Sequence, residues 1–315
     1  MKKKPEINGL PADFVNRLET QFPDDHKNII SSFHQKPPII RTNTLLITPK
    51  ELKSKLKKPG INLKSIPLLE SSFIAAADRR TLTGLDEYKQ GLFYIQSIAS
   101  QLVVKALDPR PGEKILDLCA APGSKTTQIG ILMDRNGELL ANDNNKKRLF
   151  RLKANLEHQK LDDFVKIKNY SGQNYPKFYP EYFDRVLVDA PCSSEARFDL
   201  RYPRSINYWS RHKVKAFAKL GKRLLNSAIK CTKPGGIIVY GTCTMSPEEN
   251  ELVIDSILKK NPELKLEKLL WKINKLPILK AWNEKEINPE LQKALRLYPD
   301  EVLESFFICK MQKKK

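Results

Sequence analysis

Arg185-Val-Leu-Val-Asp-Ala-Pro-Cys192-Ser and Gly236-Ile-Ile-Val-Tyr-Gly-Thr-Cys243-Thr decide how this chain folds. Each is a short apolar, strand-like run that ends on a cysteine. In an α/β protein, ligands and chemistry gather just beyond the carboxyl ends of the strands. Two thiols at such ends, one of them beside the Asp189 carboxylate, point to covalent chemistry rather than packing. A third run, Lys114-Ile-Leu, leads into Asp117-Leu-Cys-Ala-Ala-Pro-Gly-Ser-Lys-Thr.

Outward from these runs the chain alternates strand and helix. Strands are expected at 114–118, 138–141, 164–167, 185–189 and 236–240, with helices between them at 124–133, 146–157 and 214–229. That rhythm predicts a doubly wound, mostly parallel, Rossmann-like sheet over residues 85–315. The segment from Glu304 to Met311 is expected to add an edge strand. Residues 1–84 read differently. Pro11 opens an amphipathic helix, 38–47 reads as a strand, and Thr48-Pro49 cap a second helix that Gly60 ends. Residues 63–69 return as a strand, giving a small α+β module.

Composition bounds the function. The 315 residues carry 56 Lys and Arg against 36 Asp and Glu, a formal charge of +20. Such an excess favours a polyanionic partner, because phosphate contacts release condensed counterions. No apolar run is long enough for a membrane span, and the basic start Met1–Glu6 has no apolar stretch behind it. The five cysteines lack a C-x-x-C pattern, and the four histidines are scattered, so neither a disulfide framework nor a metal site is expected. A reduced, cytoplasmic protein follows, with a monomer as the default. Cys119, Cys231 and Cys309 read as small apolar residues.

The turn after Asp117 is a cofactor candidate. Ala120, Ala121 and Gly123 let backbone approach a ligand closely, and the helix after them presents free N–H groups. A phosphate-binding loop would need glycine at 119 and 124, where Cys119 and Ser124 stand, and no G-x-G-x-x-G is present. An adenosyl group without phosphates is the better candidate. Asp143, at the end of the second strand, is placed to accept both ribose hydroxyls. A helix N-cap is its alternative use.

Together, these motifs resemble the RNA cytosine-C5 methyltransferases of the NOL1/NOP2/Sun family. The Pro191-Cys192 and Thr242-Cys243 steps carry the likeness, with Glu249-Asn250, Arg296-Leu-Tyr-Pro, Ser305-Phe-Phe and the Arg41-Thr-Asn-Thr segment. The resemblance is nearest to bacterial 16S ribosomal RNA members, without their C-terminal RNA-binding extension. It implies S-adenosylmethionine as cofactor, held by Cys119, Ala120, Ala121, Pro122, Gly123, Lys125, Asp143, Arg148, Ser171 and Asp189. It also implies Cys243 as the nucleophile, Cys192 as the release catalyst, and Asp189 with Lys125 holding the base near N3 and O2. Ser171-Gly172 departs from the family's Asp-Gly, and Ser194 and Ala196 replace two glycines. RNA is the implied partner, ribosomal RNA ahead of transfer RNA. Phosphates would be tracked by the helix at 214–229 and by Lys36, Arg41, Lys50, Lys53, Lys55, Lys57 and Lys58 of the N-terminal module. A non-catalytic RNA-binding or ribosome-assembly factor and a DNA methyltransferase using Cys192 are the rival readings.

Overall fold

A computed structural model describes residues 6–7 and 9–315; the start Met1–Pro5 lies outside the described residues. Five strands form the parallel part of a nine-stranded sheet, in the spatial order Thr232–Thr242, Phe183–Asp189, Lys114–Asp117, Glu138–Asn142, Val165–Lys168. Ile115, Leu116, Val186, Leu187, Val188, Ile238 and Val239 are all buried. A parallel sheet covered on both faces requires such continuous apolar runs. Helices Ile98–Leu107 and Ser124–Leu132 contribute to the core on one face, Arg211–Cys231 and Glu251–Leu258 to that on the other.

Strand order reverses beside Lys114–Asp117. The chain proceeds outward through Glu138–Asn142 and Val165–Lys168, then returns to the other side at Phe183–Asp189. The carboxyl ends diverge at this switch point and leave a crevice. Asp117 and Leu187 are register partners there, so Asp117 and Asp189 flank the opening from adjacent strands.

The C-terminal strand, Phe307–Lys313, corrects an expectation. It is not an edge strand: it runs antiparallel between Thr232–Thr242 and the strands Leu295–Leu297 and Leu264–Glu267. Its buried Phe307, Ile308, Cys309 and Met311 require cover on both sides. The apolar reading of Cys231 and Cys309 agrees with their burial in the core.

In the N-terminal module, four antiparallel strands lie in the order Leu63–Ile66, Leu69–Ala75, Ile39–Thr42, Phe93–Ile95. The last of these comes from beyond residue 84. Helix Pro49–Lys57 begins as expected, Thr48 and Glu51 forming a reciprocal cap. The strand expected over 38–47 stops at Thr42, because the Asn43 side chain accepts the Leu45 N–H at 3.2 Å and turns the chain. The strand expected over 63–69 is instead a hairpin.

Candidate active site

The two cysteine loops meet at the crevice. Cys192 Sγ and Cys243 Sγ are 3.5 Å apart, although 51 residues separate them in sequence. Adjacent parallel strands place them there, with Asp189 in register with Gly241. Gly241 is required at this point: a Cβ would lie 2.9 Å from the Phe306 ring.

A buried acid network fixes the loops to one another. Glu249 accepts the Ser193 N–H at 2.8 Å and the Ser193 hydroxyl. Glu195 accepts the Thr244 hydroxyl at 2.8 Å, the Met245 N–H at 2.9 Å, the Ser246 hydroxyl at 2.6 Å and the Trp209 indole N–H at 2.8 Å. Thr244 also lies 2.8 Å from Ser193, so it bridges the two carboxylates. The Ala196 N–H adds a direct tie to the Cys243 carbonyl at 3.1 Å. Burial, and Glu195 beside it, push the Glu249 carboxyl up to about 8. Ser194 takes a φ of 57°, a conformation that glycine adopts at lower cost.

Glu249 therefore does not serve the following helix. The helix starts at Glu251, because Asn250 turns inward to bond Thr242 and to donate to the Thr244 carbonyl at 2.8 Å. Arg296, fully buried, pairs with Glu251 and donates to the Met245 carbonyl at 3.1 Å.

The electrostatics distinguish the two sulfurs. The hydrogen bond with Cys192, and next the Arg197 cation at the mouth of the site, pull the Cys243 thiol below its ordinary range. Bonding to Cys243, together with burial, pushes Cys192 well up. Both shifts favour charge on Cys243 over charge on Cys192. Lys125 Nζ donates to Asp189 Oδ2 at 2.7 Å beside this pair and lies 5.4 Å above the centre of the Phe306 ring. Lys125 is 4% exposed and Asp189 29%, so the ion pair is half withdrawn from water.

Across the crevice lies a second cleft, lined in part by Cys119, Asn142, Asp143, Arg148, Ser171 and Pro191. Gly123, with φ 108°, turns the chain into helix Ser124–Leu132. A Cβ there would press to 2.8 Å on Leu152. Asp143 is buried; its carboxylate accepts the Asn145 N–H at 2.9 Å, the Ala121 N–H at 3.3 Å and an Arg148 contact at 3.1 Å. It is not the helix cap: Asn145 caps Lys146–His158. Cys119 is partly exposed in the cleft, and burial, with three carboxylates nearby, raises its thiol, so it stays neutral. Asp117 receives the Thr126 hydroxyl at 2.7 Å, while its Oδ1 is buried without a partner among the described residues. Burial pushes that carboxyl up to about 7. Ser171 is exposed at the rim of the cleft.

The twelve positions named from sequence lie at the carboxyl ends of the parallel strands or on the turns and first helical turns that follow them. Asn142 was missed; its amide donates to the carbonyls of Leu118 and Tyr170, both at 3.1 Å, and so joins two strand-end turns. Glu195 and Arg197 were missed too, since nothing local marks them. Arg41 corrects a further expectation. It is 4% exposed and cannot track phosphates, because it bonds Gln96, the Ser124 carbonyl at 3.1 Å and Thr127 at 3.1 Å. Burial lowers its guanidinium to about 9.

The buried Asp143, the unpartnered Asp117 oxygen and the thiol pair all lie at the switch point of a sheet whose fold is that of the S-adenosylmethionine-dependent methyltransferases. The family model described as 16S rRNA methyltransferase RsmB/F matches residues 104–312, and that of the N-terminal domain of 16S rRNA methyltransferase RsmF matches residues 10–98. The chain belongs to the RsmB/F family, and with it to the NOL1/NOP2/Sun group that its cysteine motifs resemble.

The tRNA (cytosine(49)-C(5))-methyltransferase of Pyrococcus abyssi is 38% identical over 88% of both chains. Ribosomal RNA small subunit methyltransferase F of Shewanella loihica is 34% identical over 77% of this chain and 51% of its own. This chain thus spans most of the first relative and about half of the second. A methyltransferase homologue from Pyrococcus horikoshii superposes with a TM-score of 0.85 at 31% identity, covering 97% of this chain and 96% of its own. Among the described residues no helix is long and apolar enough to cross a membrane, and no group of three or more His, Cys, Asp or Glu could hold a metal ion.

Proposed function

We propose that this protein is an RNA (cytosine-5)-methyltransferase acting on ribosomal RNA, with Cys243 as nucleophile. The observation that carries this reading is the 3.5 Å thiol pair beside the Lys125–Asp189 ion pair. Carbon 5 of cytosine is too poor a nucleophile to attack a methyl group directly. The Cys243 thiolate adds to C6, forming an S–C6 bond and sending the electron pair toward C5, while Asp189 and Lys125 hold N3 and O2. Bound S-adenosylmethionine supplies the methyl group that C5 accepts. Water at the site takes the C5 proton, the freed pair re-forms the C5–C6 double bond, and the C6–S bond breaks to return the Cys243 thiolate, with Cys192 aiding the release. The target base must be unpaired or flipped for the buried Cys243 to reach it.

Transfer RNA is the second reading, favoured by the Pyrococcus abyssi relative that this chain matches nearly end to end. The test is bisulfite sequencing of total RNA from strains lacking the gene or carrying Cys243→Ala. A cytosine that loses protection in both strains supports the reading and identifies the RNA. Cys192→Ala should accumulate a protein–RNA adduct resistant to denaturant. Unchanged protection in both strains would overturn methyl transfer and leave a non-catalytic RNA-binding factor.

A further inference from the structure

The stretch between the Cys192 loop and helix Arg211–Cys231 has no part in the chemistry above, yet it is built with care. Phe198, Ile206 and Trp209 are buried. Phe14 packs edge-on against Phe198 at 5.1 Å and against Trp209 at 5.6 Å, which pins the stretch to the N-terminal helix Ala12–Gln21. The Trp209 indole bonds Glu195, the same carboxylate that holds Met245 and Ser246 just beyond Cys243. The stretch is therefore fixed to the frame that positions the thiols.

Its outward residues alternate aromatic and basic groups. Tyr202 is 61% exposed and Tyr208 41%. Arg201 lies over Tyr202 at 5.8 Å, and Lys213 over Tyr208 at 5.0 Å. Asp199 pairs with Arg201 and Asp13 with Arg211, whereas Arg204 and Lys213 have no ion-pair partner among the described residues. Tyr208 also stands close to the chemistry: burial, and next the Cys243 sulfur, raise its phenol.

We propose that this stretch, continued by the first turn of helix Arg211–Cys231, receives single-stranded RNA beside the target cytosine. Tyr202 and Tyr208 are the stacking platforms; Arg204 and Lys213 are the phosphate contacts. The proposal rests on the RNA reading above and names the surface that delivers the substrate. Exposed tyrosines bind flanking bases of any sequence, because every base has a π-face, and cations between them follow the backbone. A merely solvated charged face has no need of two exposed rings anchored through a buried tryptophan.

The test is fluorescence anisotropy with a short labelled oligocytidylate, against the same strand annealed to its complement, using the full chain. Tyr202→Ala/Tyr208→Ala should weaken single-strand binding by roughly tenfold or more, since each stack contributes on that scale. Tyr202→Phe/Tyr208→Phe should keep binding within about twofold, because the ring and not the hydroxyl does the stacking. Arg204→Gln should lower the slope of log affinity against log salt by about 0.7, one phosphate contact on a single strand. Calorimetric binding of S-adenosylmethionine, unchanged in every variant, certifies the fold. Wild-type affinity in the double alanine variant overturns the surface; if the wild type still methylates RNA, the enzyme reading survives that result. A wild-type protein that neither binds nor methylates RNA overturns both.

Discussion

Glu249→Gln tests whether the buried acid network holds the thiol site together. Glu249 ionises near 4.5 in an unfolded chain but keeps its proton up to about 8 in the folded protein, through burial and then the neighbouring Glu195. Between those values the folded chain binds a proton that the unfolded chain lacks. The stability present below the unfolded value is therefore lost as pH rises through the folded one. At about 1.4 kcal/mol per pH unit, a rise from about pH 6 to about pH 9 removes roughly 2–3 kcal/mol from this group alone. Glutamine keeps the shape, still accepts from Ser193 and does not titrate. Urea unfolding of both proteins across that range should show the wild type losing roughly 2–3 kcal/mol more than the variant. Parallel stability curves would refute the reasoning. Because Glu249 holds Ser193, the same rise should loosen the 3.5 Å approach of the two sulfurs.

Arg197→Gln removes the cation that helps hold the Cys243 thiol low, so the acidic limb of the kcat/KM profile should move to higher pH. The expected displacement is about half a unit to one unit, the scale of one charge acting across a partly solvated gap. An unmoved limb would assign the lowered thiol to Cys192 alone. Arg296→Met leaves Glu251 as an unpaired charge in the core and should cost about 3–5 kcal/mol in chemical denaturation. A loss below about 1 kcal/mol would mean that water reaches the site.

Much of the site is legible in short stretches. Asp117 to Lys125 is a strand end, a tight turn and a helix start in consecutive residues, so its chemistry can be read without knowing the fold. Asp189 to Cys192 and Thr242-Cys243 are likewise local, each an apolar run followed by a reactive side chain. The resemblance added roles to those residues, and fold and family agree with it. What local reading misses is long-range. Arg41 reads as one more surface cation, but the small sheet folds it under helix Ser124–Leu132 and buries it. The final strand looks like an edge until Leu295–Leu297 and Leu264–Glu267 flank it.

By itself the sequence determined the alternation of strand and helix, the strand-end thiols and the cofactor turn, because each depends on neighbours only a few residues away. Only the tertiary structure decided that the Cys192 and Cys243 sulfurs lie 3.5 Å apart and that Glu195 and Glu249 meet through Thr244. The same holds for Arg197 and Tyr208 at the mouth of the site. The strength of a charge, and of a hydrogen bond to it, depends on distance and on how completely water is excluded. Both are set when segments far apart in the chain pack against one another.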